Sequence, residues 1–167
     1  RNLTVSANEI EFDGAVGGNA ALGAISITGA LDLDADITNA SSLSVSTTSN
    51  LAANVTTSGS QTYTGAVTTD GSRTLQGSTV QFVNTVTGTT AASDDLTITG
   101  ALDLDGAITD INDLSVSTTS NLGANVTTTG TQTYTGAVTL SGAARTLTTT
   151  GDTVTFSSTV DGAQDLT

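Results

Sequence analysis

A 26-residue stretch, Leu43–Thr68 (LSVSTTSNLAANVTTSGSQTYTGAVT), returns 71 residues later as Leu114–Thr139 (LSVSTTSNLGANVTTTGTQTYTGAVT). The copies differ only at Ala52/Gly123, Ser58/Thr129 and Ser60/Thr131, each a small residue for a small one. Such a match requires both copies to follow one backbone path, so the chain is read as a repeat protein whose unit is a supersecondary element. The rare residues obey the same period. Arg1–Phe12, Arg73–Phe82 and Arg145–Phe156 align, with the middle version two residues shorter. This places every Arg, every Phe and both Tyr (Tyr63, Tyr134) at equivalent positions. The repeat copies run approximately 1–72, 73–144 and, in part, 145–167, within a single domain.

Within each copy the apolar residues recur with period two. Ile25, Ile27, Gly29, Leu31, Leu33, Ala35 and Ile37 share one parity, and Ser26, Thr28, Asp32, Asp34 and Asp36 the other. Leu96, Ile98, Leu102, Leu104 and Ile108 repeat the pattern. This is the signature of strands with one buried face, and no helical period competes with it. Strand openings near Leu3, Ile25, Leu43, Tyr63, Leu75, Leu96, Leu114, Tyr134, Leu147 and Leu166 are spaced mostly near 20 residues, which suits one turn of a parallel β-helix. Breaks such as Ser58-Gly59-Ser60 and Asp70-Gly71-Ser72 carry the small residues that corners need.

The expected fold is therefore all-β, a β-solenoid of about nine coils in which the ~72-residue repeat occupies about four. Aromatic residues make up 3% of the chain, and Trp, Met, Cys and Pro are absent, which suits a narrow aliphatic core better than a compact globule. Immunoglobulin-like sandwiches, the competing architecture, commonly carry a buried Trp or a Cys pair. The parity predicts Ile25, Ile27, Leu31, Leu33 and Ile37 inside, with Leu102, Leu104 and Ile108 in equivalent places four coils on. Tyr63, Tyr134, Phe12, Phe82 and Phe156 are expected inside as fillers.

Charge narrows the partners. Sixteen acidic residues against three Arg give a net charge of -13, which repels nucleic-acid phosphate and anionic lipid. No apolar run approaches the ~18 residues of a membrane helix, so membrane insertion is not expected. The charge permits a hard cation. Outward Asp32, Asp34, Asp36, Asp103 and Asp105 are weak candidates for peripheral calcium, although carboxylates two apart on a strand stand ~7 Å from one another. No cofactor is otherwise expected.

The carboxylates at Asp32/Asp34/Asp36, Asp94/Asp95 and Asp103/Asp105 also bring acid–base catalysis to mind. With no His and no Lys, and Arg that recur with the repeat, a unique catalytic constellation is not apparent, and the reading is that of a non-enzyme. Thr-x-Thr pairs (Thr62/Thr64, Thr97/Thr99, Thr133/Thr135, Thr146/Thr148, Thr153/Thr155) suggest an ice-binding array, but in the sequence they fall at irregular coil positions.

Thr127–Leu140 (TTTGTQTYTGAVTL), Thr146–Phe156 (TLTTTGDTVTF) and Asp161–Thr167 (DGAQDLT) together resemble the giant β-strand-repeat exoproteins of bacteria related to filamentous haemagglutinin. The resemblance implies a right-handed parallel β-helix, secretion to the bacterial cell surface and work as an adhesin shaft or extracellular filament in attachment or matrix formation. A carbohydrate-binding or carbohydrate-active β-helix, with cell-surface carbohydrate as partner, is the alternative. An ice-binding solenoid is the minor one. Because Arg1 falls in the middle of a repeat, any export signal is expected upstream. Both terminal coils are expected to be uncapped and to abut further coils of the same chain or of a neighbouring subunit.

Overall fold

The computed structural model describes residues 1–167 as nineteen strands in one sheet, with every pairing parallel and no helix. It is a β-solenoid. Each strand pairs with the strand one coil later, at steps that range from 18 residues (Leu43 with Gln61) to 23 (Arg73 with Leu96). Six residues form the working unit. Strands Ser49–Leu51, Val55–Thr57, Gln61–Tyr63 and Val67–Thr69 open six residues apart, each with its first and third side chains buried and its middle one facing out. The three residues between them turn a corner. Three such units make an 18-residue coil with three faces, so strands open three times per coil and not once, as the sequence spacing had suggested.

The stacked pairs define the faces. On the first face Leu3, Ile25, Leu43, Gln61, Val80, Leu102, Ser120, Val138 and Val160 lie one above another. On the second, Ile10, Leu31, Ser49, Val67, Val86, Ile108, Val126 and Leu147 do so. On the third, the series is Val16, Ile37, Val55, Leu75, Ile98, Val116, Tyr134 and Phe156. The first face thus has nine rungs and eight steps, close to the expected nine coils. At the ~4.8 Å strand spacing this gives a prism about 40 Å long.

The inward side chains merge into one core of 31 buried hydrophobic residues. Ile25, Ile27, Leu31, Leu33, Ile37, Leu102, Leu104 and Ile108 are all within it, as parity predicts, while Asp34 is exposed and Asp32 half-exposed. Tyr63, Tyr134 and Phe82 have no exposed surface. Phe12 and Phe156, in the first and last coils, pack against the core half-buried.

The repeat does not close on the coil. From Ile25 on the first face to its copy Leu96 on the third, the chain makes eleven face-to-face steps, one short of four complete coils. Leu31 on the second face accordingly has its copy, Leu102, on the first. The three Phe show the full progression: Phe12 stacks with Leu33 on the second face, Phe82 with Tyr63 on the first and Phe156 with Tyr134 on the third. The expectation that Leu102, Leu104 and Ile108 stand in equivalent places four coils on is therefore corrected. Each copy is turned by one face, about 120°, against the last, and an equivalent surface regains its face only after three copies.

Loops and bulges within the strands absorb the variation in step length. A bulge at Asn39 (φ 55), and its copy at Asp110 (φ 56), lets Ile37 and Ala40 pair with Val55 and Thr57 across one extra residue. Gly29 (φ 142) and its copy Gly100 (φ 147) lie where one long strand bends from face to face, and a Cβ at either would stand 1.9 Å from the carbonyl oxygen of Ala7 or Gly77. Only glycine meets both conditions.

Candidate functional site

Two buried glutamines are paired in a pattern that recurs with the repeat, whereas the buried hydroxyls of Ser49, Thr69 and Ser120 have no partner. Gln61, wholly enclosed, donates from Nε2 to the carbonyl oxygens of Val55 (3.1 Å) and Gln76 (2.7 Å), while its Oε1 accepts from the Tyr63 hydroxyl (3.0 Å). Gln132 does the same with Val126 (3.3 Å), Thr148 (2.9 Å) and Tyr134 (3.1 Å). The amide closes carbonyls left open where the coil widens, and burial pushes both tyrosine hydroxyls well above their ordinary pKa. These groups serve the core. The Arg side chains do likewise: Arg73 Nη1 donates to the Ala52 carbonyl, and Arg145 Nε to that of Leu122 (3.1 Å).

The outward carboxylates are therefore the accessible chemistry. Asp32 accepts from Asn50 Nδ2 at 2.9 Å, one coil above, and Asp103 from Asn121 at 2.9 Å in the second copy. Asp36 accepts from the backbone N–H of Asn54 (2.9 Å), and Asp105 from Gln81 Nε2 (3.4 Å). Asp94 is enclosed in the Thr89–Asp95 turn. Burial opposes its ionisation, but bonds from Thr90 N–H (2.7 Å) and the hydroxyls of Thr89 (3.0 Å) and Ser93 (3.3 Å) outweigh this and hold its pKa below the usual carboxylate range. Asp95 accepts from Asn112 Nδ2 (2.9 Å) across the next coil. Most candidate aspartates thus act as rungs between coils.

Asp34 has different company. It meets Glu11 and Asp13 so that oxygens of the three exposed carboxylates lie within 4.8 Å of one another. Asp13 chiefly, then desolvation and Asp32, raise the Glu11 pKa above its ordinary value. A hard cation takes oxygen ligands of this kind, and the grouping differs from the Asp32, Asp34 and Asp36 run that the sequence suggested. Glu11 and Asp13 escape sequence reading because they lie a full coil earlier. The cluster does not repeat, since Gln81 and Val83 stand at the equivalent places beside Asp105.

Elsewhere the outer surface is hydroxylated and in register. On the first face, Thr4/Ser6, Ser26/Thr28, Ser44/Ser46 and Thr62/Thr64 form four successive ranks of outward pairs. On the third face Thr97/Thr99, Ser115/Ser117, Thr133/Thr135 and Thr155/Ser157 form four more. The ladder continues under the second member of each later pair, through bonds such as Ser46 N–H to Ile27 O and Thr135 N–H to Val116 O, both 3.0 Å. The irregular placement expected of the Thr-x-Thr pairs is thus corrected: Ser pairs complete the series, and loops make up the uneven spacing. Thr146/Thr148 remains outside both lanes, as does Thr153, whose partner Thr155 enters the second lane with Ser157.

Shallow recesses follow the repeat as well. One is lined by Asp32, Ser49, Asn50 and Thr68, the other by Asp103, Ser120, Asn121 and Thr139. No family model, curated protein or solved structure matches the chain.

Proposed function

We propose that the protein is the structural shaft of a secreted bacterial adhesin or extracellular filament that spaces, links or attaches cells. The observation that carries this reading is the unbroken parallel ladder on three faces around a single core. Such a rod gains length by adding coils, and each coil buries its edge on the next. Half-buried Leu147, Val154 and Phe156 and exposed Leu166 form an apolar patch on the last coil, a surface that favours end-to-end association with a neighbouring subunit. Acidic side chains facing outward favour dispersal of a long fibre over collapse. The carbohydrate reading has less support, because a sugar-stacking platform needs exposed rings and both Tyr are enclosed.

Immunogold electron microscopy of producing cells with antibodies against this segment tests the proposal. Labels spaced along fibres outside the cell, together with weaker surface attachment after deletion of the segment, are expected. Labels confined to the cell interior overturn it.

A further inference from the structure

Three properties of the two hydroxyl lanes bear on what they can hold. The lanes carry no charged side chain although the chain bears a net charge of -13, they carry no outward ring, and they are ordered in two directions. Along the prism the ranks follow the strand spacing of ~4.8 Å, and across a rank residues i and i+2 stand ~6.6 Å apart. In each lane three of the four pairs are held from beneath by a buried inward residue between their members. Ile27, Val45 and Tyr63 do this in the first lane, and Ile98, Val116 and Tyr134 in the second; all are essentially without exposed surface. The side chains are short, so little rotamer freedom is lost when they are fixed.

We infer that these lanes bind ice. A fixed hydroxyl both donates to and accepts from water, and a rectangular mesh of them holds first-layer water at spacings close to those of the oxygens on the prism planes of hexagonal ice. Charged groups would orient water radially about themselves, and their absence from both lanes preserves that layer. A neutral crystalline polysaccharide is the other flat lattice of comparable chemistry, but the lanes offer it no ring to stack on. The one-face turn between copies sets the geometry: the first lane gives way on its own face to Gln81 and Asp103, and the second opens on another face. The rod thus presents two four-rank lanes in different directions, three ranks of each related by the repeat. This inference is independent of the shaft reading and adds an adsorbing surface to it.

The test is partition of the whole 167-residue chain into slowly growing ice. The panel comprises the wild type, the lane variant Ser44→Tyr/Ser115→Tyr, the conservative Ser44→Thr/Ser115→Thr and the corner variant Asn84→Tyr. Circular dichroism of each establishes that the coil is intact. Wild type, the threonine variant and Asn84→Tyr are expected in the ice fraction, with or without EDTA. The tyrosine variant should fall to the level of a non-binding control protein. The inference is overturned if the wild type is excluded from ice, if the tyrosine lanes still adsorb, if the threonine variant or Asn84→Tyr loses adsorption, or if EDTA abolishes it. Retention on microcrystalline cellulose without adsorption to ice also overturns it. Should the tyrosine variant fail to fold, the threonine variant and the wild type still decide the outcome.

Discussion

The ring of Phe82 lies against that of Tyr63, one coil earlier, with centroids 5.5 Å apart and planes 22° from parallel. Phe156 repeats the arrangement on Tyr134 at 5.4 Å and 15°, one face round the prism. In a hydrophobic core otherwise built of Val, Leu, Ile and Ala, each stacked pair packs two successive coils against each other. Tyr63→Ala is expected to cost about 3–5 kcal/mol through the cavity it leaves, as for other large-to-small aromatic truncations. Urea denaturation measures this, and a loss near that of an exposed substitution such as Asn84→Ala counts against the packing.

Gln132 gives a second stability prediction. Leucine at this position keeps most of the volume but leaves the Tyr134 hydroxyl and the Val126 and Thr148 carbonyls short of a partner. Each unpaired buried group costs about 1–3 kcal/mol, so Gln132→Leu should lower the denaturation midpoint clearly. Gln81→Leu, at a partly exposed outward position, should change it little. Equal effects would mean that the buried amide has no special part in the coil.

The pH response has two opposing parts. Asp94 is held below its ordinary pKa, so its stabilising contribution is present above the unfolded value of about 3.9 and is lost as pH falls through the lower folded value. Asp94→Asn should remove that acid-range loss of stability. Glu11 is raised above its ordinary value, chiefly by Asp13, so the folded state takes up its proton first and repulsion there eases as pH falls. Carboxyl-detected NMR titration should therefore show the Glu11 value moving down towards normal in Asp13→Asn. No movement would mean that the carboxylates are not gathered in solution.

Parity made the core legible. Ile25 through Ile37 alternate in the sequence just as they bury in the fold. The same regularity hid the corners. Six is an even number, so the turn at Asp34-Ala35-Asp36 passes from one face to the next without breaking the alternation, and three strands read as one. Hydroxyl lanes were obscured by counting Thr alone, since Ser44, Ser46, Ser115 and Ser117 complete them. The Glu11, Asp13 and Asp34 cluster depends on a 21-residue first step, with Phe12 beneath Leu33, and nothing in the alternation fixes that length.

The central claim is that each copy turns by one face, and a pair of cysteines tests it on a chain that has none of its own. In the structure Gln81 and Asp103 are direct neighbours on the first face. Were the repeat a full four coils, Asp103 would keep the face of its copy Asp32 and lie above Thr87 instead. Adjacent strands bring Cα atoms within the ~4.4–6.8 Å that a disulfide spans. Under mild oxidation, Gln81→Cys/Asp103→Cys should cross-link readily and Thr87→Cys/Asp103→Cys should not. The reverse outcome would contradict the eleven-face repeat and, with it, the placement of both lanes.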